Sequence, residues 1–310
     1  MSAIDMSMRD FQLRGNTYQG KVEHIEFKEK SGFELQNCAV QNFEITPKKI
    51  ALLGLNFKTP DTELGDTLIF RYNRLSDFSD FTNQVELNLA LNNSTVQLKD
   101  VMTFAPSLQK DRFFLRNKDK KLRISGKLLG TINDLSGKNL KIQLNGKTLI
   151  EGSFSSNNLT VPEEQTLLLN LSNLQTNVGV LRKIIPDFSL PSNFDKLGNI
   201  RFNGNFNYLF EKLIIDGTLR TQLGAAELDM GFTGLDNPAT TQYYGDLSLV
   251  NFNLGKWMNN DDFGNISAIS KVREGRGLTE KSADALLSID LQSMYYKNYN
   301  YQNAKIRWAS

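Results

Sequence analysis

His24 and Cys38 are the residues of this sequence with the widest range of chemistry, because an imidazole can move a proton and a thiolate can act as a nucleophile. The sequence contains one histidine and one cysteine, so a proton relay would depend on His24 alone. No activating base for Cys38 is recognisable. His24 shares a strand face with Val22 in "VEHIEF". We therefore interpret His24 as a structural strand residue and Cys38 as a small packing residue.

Paired carboxylates are a second source of acid and base chemistry, and they occur at Asp77/Asp80, Glu163/Glu164 and Asp261/Asp262. Each pair lies in a predicted turn or helix start, where an acidic side chain caps and solvates the backbone. A glycosidase pair instead reaches inward from a cleft. No Cys/His cluster fits a zinc site, and no acidic loop has the spacing of a calcium hand. The sequence therefore predicts a protein that is not an enzyme, with no cofactor and no metal.

The charged stretches do not have the pattern of a phosphate or nucleic-acid site. "REGRG" at 273–277 lacks the strand, the glycine spacing and the lysine of a phosphate loop, and "NKDKKLR" at 117–123 is typical of a basic turn. The 36 basic and 34 acidic side chains leave a net charge of +2. A nucleic-acid binder needs a clustered basic surface, so no nucleic-acid partner is expected.

The sequence has no membrane or secretion signal that we recognise. It contains no run of ~18 apolar residues that would span a bilayer. The start, "MSAIDMSMRDFQLRGN", lacks the basic and apolar regions of a signal peptide, and residues 4–13 alternate like a strand. We therefore expect a fragment, or one part of a split reading frame, of something longer. One cysteine excludes an internal disulfide.

The elements that would position any site are strands, because the dominant hydrophobic period is two. In "RFNGNFN" at 201–207, Phe202, Gly204 and Phe206 share one face and polar residues occupy the other. "FEITPKKIALLGLNFKTP" at 43–60 predicts a hairpin that turns at 47–49, with Gly54 interrupting its second strand. Turn residues recur every ~8–12 positions, as in an all-β meander. Each strand should bury one face and expose the other.

A few segments have apolar spacings of three and four, which predict short helices at 101–107, 180–186 and 255–260, with another at 75–82. They also mark a repeat, because an offset of 80 places Leu87, Leu89 and Leu91 on Leu167, Leu169 and Leu171. A shorter third copy begins at 247, and Gly126 matches Gly204. We predict one continuous array over 1–310 without clear linkers. Its approximate units are 1–74, 75–155, 156–235 and 236–310, the last one truncated.

The residues that carry a family resemblance are spread along the chain. They are "SGFELQNCAVQNFEITPKKIALLGLNFKTPDTEL" (31–64), "LSDFSDFTNQVELNLALNNSTVQLKDVMTFAP" (75–106), "ISGKLLGTINDLSGKNLKI" (124–142), "LGNIRFNGNF" (197–206), "IIDGTLRTQLGAAELDMGF" (214–232) and "GDLSLVNFNLGKWM" (245–258). In these stretches the chain resembles an internal segment of the large AsmA-like/TamB-like envelope proteins of Bacteroidetes-type bacteria. The resemblance lies in the pattern and not in a catalytic motif.

The resemblance implies a location and a function. Members of that family are anchored in the inner membrane by an N-terminal helix, and their repeats form a curved, taco-like β-groove through the periplasm. They are linked to phospholipid transport between the two membranes and, for TamB, to outer-membrane protein assembly with a barrel partner. This chain has neither the anchor nor a recognisable complete C-terminal end.

We therefore predict a mainly β fold, an elongated and strongly curved antiparallel sheet with a few short helices. Its apolar face would shelter or conduct phospholipid acyl chains. The predicted groove residues are Phe43, Ile45, Leu55, Phe57, Leu68, Phe70, Leu87, Leu89, Leu91, Leu167, Leu169, Leu171, Phe202, Phe206, Leu213, Ile215, Leu219, Leu228, Met230 and Phe232. The alternatives are a scaffold that offers sheet edges to outer-membrane proteins, a glycan-active β-solenoid and a closed sandwich or barrel. Alternation alone does not separate an open groove from a closed core.

Overall fold

The computed structural model describes residues 4–29, 32–104, 106–144, 146–159, 161, 164–186, 190–279 and 281–308. Strands account for 64% of the chain and helices for 15%, and the strands pair antiparallel. This confirms the predicted mainly β, antiparallel fold with a few short helices. The chain divides into two compact units, which are unit 1 (Met1–Gly146 with Ser153–Thr160) and unit 2 (Lys147–Gly152 with Val161–Ser310).

Unit 1 is a meander with two helical insertions, one before β7 and one after it. Its strands are β1 (Asp5–Arg14), β2 (Thr17–Lys28), β3 (Glu34–Leu35), β4 (Asn37–Thr46), β5 (Lys49–Lys58), β6 (Glu63–Arg71), β7 (Glu86–Gln97), β8 (Lys121–Gly130) and β9 (Leu135–Leu144). Its helices are a 3-10 helix at Leu75–Asp80, α1 (Phe81–Gln84), α2 (Leu98–Phe104), a 3-10 helix at Pro106–Lys110 and α3 (Arg112–Asn117). β10 (Thr148–Asn157) is divided between the two units.

Unit 2 continues the same kind of meander. Its strands are β11 (Thr166–Asn177), β12 (Asn199–Leu209), β13 (Lys212–Thr221), β14 (Gly224–Thr233), β15 (Gln242–Asn253), β16 (Phe263–Arg276), β17 (Asp284–Tyr296) and β18 (Tyr299–Trp308). Its helices are α4 (Val178–Ile184), a 3-10 helix at Ser192–Leu197 and α5 (Leu254–Met258). From β11 to β18 each strand pairs antiparallel with the next one in the chain.

The predicted repeat of 80 residues is present in the elements themselves. β11 and α4 begin and end 80 residues after β7 and α2. Both strands also carry a register shift at the same place, after Leu91 in β7 and after Leu171 in β11. The glycines correspond as well, since Leu91 pairs with Gly126 and Leu171 pairs with Gly204.

β-Bulges interrupt many of the strands near their middle. Asn93 lies in the β7 bulge with a φ of 52°, and Gly54 lies in the β5 bulge with a φ of 63°. A bulge adds a residue on one strand, bends it and increases its twist. It also changes the alternation, so that Leu55 packs in the same cluster as Leu52. The Gly54 interruption predicted from the sequence is therefore a bend in the strand.

Side-chain caps set the helix starts, and the observed bounds differ from the predicted ones by a few residues. Asn177 accepts a hydrogen bond from the Val180 amide at 2.9 Å, which begins α4 at its N-terminus. Asp111 accepts hydrogen bonds from two amides in α3, a helix that the sequence interpretation did not predict. The 3-10 helix at Ser192–Leu197 was not predicted either. Residue 105, inside the predicted 101–107 helix, lies outside the described residues.

Candidate functional site

In unit 2 the strand register brings the predicted groove residues onto one face of β11 to β14, which we call the inner face. Paired residues of an antiparallel sheet lie side by side on the same face. One row across the strands contains Leu169, Phe206, Ile215 and Met230. Neighbouring rows add Leu167, Leu171, Phe202, Leu213, Leu219, Leu228 and Phe232. All the unit 2 residues of the predicted groove therefore share this face.

A pair of glycines makes room for an aromatic ring on the inner face of unit 2. Gly204 and Gly217 face each other with φ values of 149° and 146°. A Cβ atom at either position would come within 2.9 Å of the Phe202 ring and within 2.3 Å of a backbone oxygen. The rings of Phe202 and Phe206 are in contact along the strand, with centroids 4.5 Å apart and planes tilted by 57°. The glycines thus leave space for the Phe202 ring beside that of Phe206.

Most of the side chains on the inner face of unit 2 are partly exposed to solvent. Phe202 and Met230 are 3% and 6% exposed, whereas Phe206, Ile215 and Leu219 are half-buried. A filled core would bury such residues almost completely. The inner face of unit 2 consequently keeps accessible apolar surface between the rows.

In unit 1 the register also places the predicted residues on one face, which we likewise call the inner face. Rows across β4 to β7 contain Phe43, Ile45, Leu55, Phe57, Leu68, Phe70, Leu87, Leu89 and Leu91, and the exposed Asp66 pairs with both Leu55 and Leu91. Phe43 and Leu55 are buried, and Phe57 and Leu68 pack against them. Ile45, close to the hairpin turn, is 36% exposed. Part of the inner face of unit 1 is thus filled by its own side chains.

The helices that follow β7, at 98–104 and 106–117, return towards the beginning of that strand, and we call them the helical bridge. Met102 and Leu108 follow the end of β7, yet they pack with Phe81 and Ile132. Phe81 and Ile132 lie at the beginning of β7, where the Asn133 amide donates to the Thr82 carbonyl at 3.0 Å. The bridge therefore runs back along β7, from the end of the strand towards its beginning.

The contacts of Phe81 identify the face of the sheet on which this end of the bridge packs. Its ring lies 5.7 Å from that of Phe70, which pairs with Leu87 on the inner face. Phe78 lies 5.9 Å from Phe70 and completes the cluster. Through Phe81 the bridge therefore packs beside Phe70, on the inner face of unit 1.

The opposite, outer face of unit 2 is polar. Asn170 donates to the Asn205 side-chain oxygen at 2.8 Å, and Asn205 donates to Asp216 at 2.8 Å. The row continues through Asp229 and Asp246 on the next two strands. Of the residues that alternate with the inner-face leucines of β7 and β11, Glu86, Asn170 and the apolar Leu168 are exposed, and Asn88 is half-buried.

Among the other residues with potential chemistry, Cys38 and Asp77 have packing and capping roles, and Asp261 and Asp262 lie in an exposed turn. Cys38 is half-buried against the Val40 cluster, and burial raises the pKa of its thiol. Asp77 caps its 3-10 helix by accepting hydrogen bonds from the amides of Asn73 and Arg74. Burial raises the pKa of Asp77, but those hydrogen bonds and the Arg74 guanidinium together lower it by more. Asp261 and Asp262 are exposed in a turn, and Glu163 lies outside the described residues.

His24 has neighbours that the sequence interpretation did not connect with it. Its Nε2 lies 3.3 Å from a carboxylate oxygen of Glu26, and its Nδ1 lies 3.1 Å from the Asn37 side-chain oxygen. Ligand atoms of Asp5, His24 and Glu26 all lie within 4.8 Å of one another. The His-x-Glu spacing on a strand was the available signal, because residues two apart share a face.

No helix of the described residues is long and apolar enough to cross a membrane. Comparisons of the chain with family models, with curated proteins and with solved structures find no match. The inner face is therefore interpreted from its own geometry and from the resemblance described above.

Proposed function

We propose that this chain is a segment of an AsmA/TamB-like bridge protein, whose apolar β-face shelters or conducts phospholipid acyl chains between the inner and outer membranes. The observation that carries the proposal is the inner face of unit 2. Its apolar rows run across consecutive strands, and its side chains remain partly accessible.

The size of this face suits an acyl chain. Strands lie about 4.8 Å apart, so the five strands from β11 to β15 extend about 19 Å across. The hydrocarbon of one bilayer leaflet is about half of the ~30 Å core. Each CH₂ group transferred from water to an apolar surface contributes about 0.8 kcal/mol. A smooth apolar row therefore holds a lipid tail without requiring a specific side chain at any one position.

The family resemblance supplies the setting of this proposal. The full-length protein would be anchored in the inner membrane and extend through the periplasm in the cell envelope. Its partners would be phospholipid and an outer-membrane barrel assembly protein. The polar outer face of unit 2, with its Asn and Asp side chains, fits an aqueous compartment on that side.

Site-specific photo-crosslinking tests the proposal. A photoreactive amino acid at position 206 faces the inner side, whereas one at position 203 faces the outer side, since Asn203 donates to the Ser172 carbonyl there. The folded chain is mixed with phospholipid vesicles, irradiated and examined by mass spectrometry. We expect lipid adducts at 206 and not at 203. A protein that stays folded by circular dichroism and gives no adduct at 206 would refute the lipid proposal.

A second candidate function is a scaffold for outer-membrane protein assembly, and the exposure of β1 favours it. Every residue of β1 is exposed, including Met6, Phe11 and Leu13. An accessible strand with apolar side chains can accept a strand from another chain. If the chain acts as this scaffold, the same crosslinker at position 11 should give adducts with outer-membrane proteins in cells. Lipid adducts at 206 without protein adducts at 11 would exclude the scaffold.

A further inference from the structure

We propose that Asp5, His24 and Glu26 form a divalent-cation site of the zinc type on the β1–β2 hairpin. Asp5 pairs with Glu26, and His24 lies two residues before Glu26 on the same strand, so the three side chains share one face. Their ligand atoms all lie within 4.8 Å of one another. The closest pair, His24 Nε2 and Glu26 Oε2, is 3.3 Å apart.

A contact at the second ring nitrogen fixes the orientation of the His24 imidazole. His24 Nδ1 lies 3.1 Å from the Asn37 side-chain oxygen, and an amide oxygen only accepts hydrogen bonds. Nδ1 is therefore the nitrogen that donates to Asn37, and Nε2 is the nitrogen that faces Glu26 and Asp5. This is the arrangement of a metal-binding histidine, whose second nitrogen donates to an outer partner.

His24 Nε2 and the Glu26 carboxylate approach each other at 3.3 Å, a contact that a cation between them makes favourable. A proton on the imidazole would compensate one of the two carboxylate charges of Asp5 and Glu26, whereas a divalent ion compensates both. Nearby basic side chains already have acidic partners. Lys28, two residues after Glu26, binds Glu34 at 2.9 Å, and on β1 Arg9 binds Glu23 at 2.6 Å.

The ligand set indicates which metal is expected. One imidazole nitrogen and two carboxylate oxygens suit Zn²⁺, which binds them at about 2.0–2.2 Å in a tetrahedron. Ligand atoms in such a tetrahedron lie about 3.4 Å apart, by the geometry of those bonds. The His24–Glu26 distance of 3.3 Å already matches, and the exposed Asp5 reaches the same distance by a side-chain rotation. Water would supply the fourth ligand.

A bound ion would attach β1 to the rest of unit 1. The side chains of β1 are all exposed, so little packing fixes this strand beyond its pairing with β2. The ion would join Asp5 of β1 to two residues of β2, and Asn37 of β4 would hold the imidazole. The site is therefore structural, and it is independent of the lipid proposal.

The test is a calorimetric titration of the whole chain, freed of metal, with Zn²⁺. His24→Ala, Glu26→Gln and Asp5→Asn should each weaken binding at least tenfold, and Asn37→Ala should weaken it about 10–100-fold. Glu23→Gln removes a carboxylate from the same strand, and Cys38→Ser removes the thiol. Both controls should leave the affinity unchanged. With Co²⁺ as a spectroscopic probe, the wild type should give tetrahedral absorption bands that the His24→Ala variant lacks.

Two results would overturn the site. The first is the absence of Zn²⁺ binding by the folded wild type, and the second is binding that persists in both His24→Ala and Asp5→Asn. Hydrogen exchange gives a separate reading of its role. Zn²⁺ should slow the exchange of the β1 amides in the wild type and not in Glu26→Gln, whose change lies at an exposed position. Equal exchange with and without Zn²⁺ would remove the structural role.

Discussion

The helical segments after β7 and β11 occupy equivalent places in the repeat, yet they lie differently on their sheets. In unit 1 the helical bridge follows the end of β7 but packs with Phe81, which precedes that strand. In unit 2 the segment after β11 contributes Leu181, Phe194 and Leu197 to a cluster with Phe252, near the end of β11. One repeat therefore docks its helices towards the beginning of the strand in unit 1 and at the end of the strand in unit 2.

The sequence before each strand explains the difference. Phe78 and Phe81 precede β7, and with Phe70 they form an aromatic cluster on which the bridge can dock. The residues before β11, at 157–165, contain no aromatic side chain. An aromatic docking site contributes large apolar area at the contact. Phe78 and Phe81, which lie outside the strands, thus decide where the helices of the repeat dock.

The largest expected effect is the loss of lipid transfer when a charge is placed in the inner face of unit 2. Phe206→Asp or Leu169→Arg places a charged side chain among the apolar rows. A lipid that binds there removes water from this charge, which costs several kcal/mol. In the full-length protein we expect either change to abolish transfer, measured as phospholipid movement to the outer membrane. Asn203→Lys, on the outer face, should leave transfer intact. Unchanged transfer in Phe206→Asp would mean that this face carries no lipid.

The next effect concerns the bridge of unit 1. Phe81→Ala removes a ring that contacts Phe70 and the Met102 cluster, and we expect a loss of about 2–3 kcal/mol in the free energy of unfolding. Denaturant titration measures it, and Leu75→Ala, at a position 69% exposed, is the control with little effect.

The same variant tests the difference between the two units. A photoreactive amino acid at Leu89 should give few lipid adducts in the wild type and more after Phe81→Ala, because the bridge no longer docks. Adducts at Leu89 as abundant as those at Phe206 in the wild type would show that the bridge does not cover the face.

The sequence predicted which residues share a strand face better than it predicted the paths of the helices that pack on the strands. Alternation placed Phe202 and Leu219 on one face, and these residues are paired in the structure. The bulges have a local signal in Gly54 and Asn93, whose backbone conformations favour glycine and asparagine. The path of the bridge had no such signal, because it depends on how far the bulges bend β7 and on contacts distant in sequence.

The grouping around His24 was missed for a similar reason. The spacing of His24 and Glu26 is visible in one strand, but Asp5 joins them only through the β1–β2 register, which itself shifts after Ser7. A bulge moves residues relative to their partners, so counting along the sequence does not place Asp5. The interpretation of His24 as a structural residue considered its own strand alone.

The outer faces of the two units also differ, and this leads to the smallest expected effect. In unit 2, Asp216, Asp229 and Asp246 lie directly side by side, whereas unit 1 pairs Lys127 with Lys138 on its own sheet. Like charges directly opposite each other destabilise a sheet by about 0.2–1 kcal/mol per pair. Asn205 donates to Asp216, and Lys271 lies 3.6 Å from Asp246. Asp229 therefore lies between two aspartates whose carboxylates already have a partner.

Asp229→Asn should therefore raise the free energy of unfolding by about 0.2–1 kcal/mol, because it removes both repulsions while keeping the size of the side chain. Denaturant titration at low salt measures the gain. Salt screens exposed charges, so the gain should shrink at high salt. Glu227→Gln is the matched control, since Glu227 lies on the same strand and face but between Thr218 and Ser248. An equal gain in Glu227→Gln would trace the effect to net charge and not to the row of aspartates.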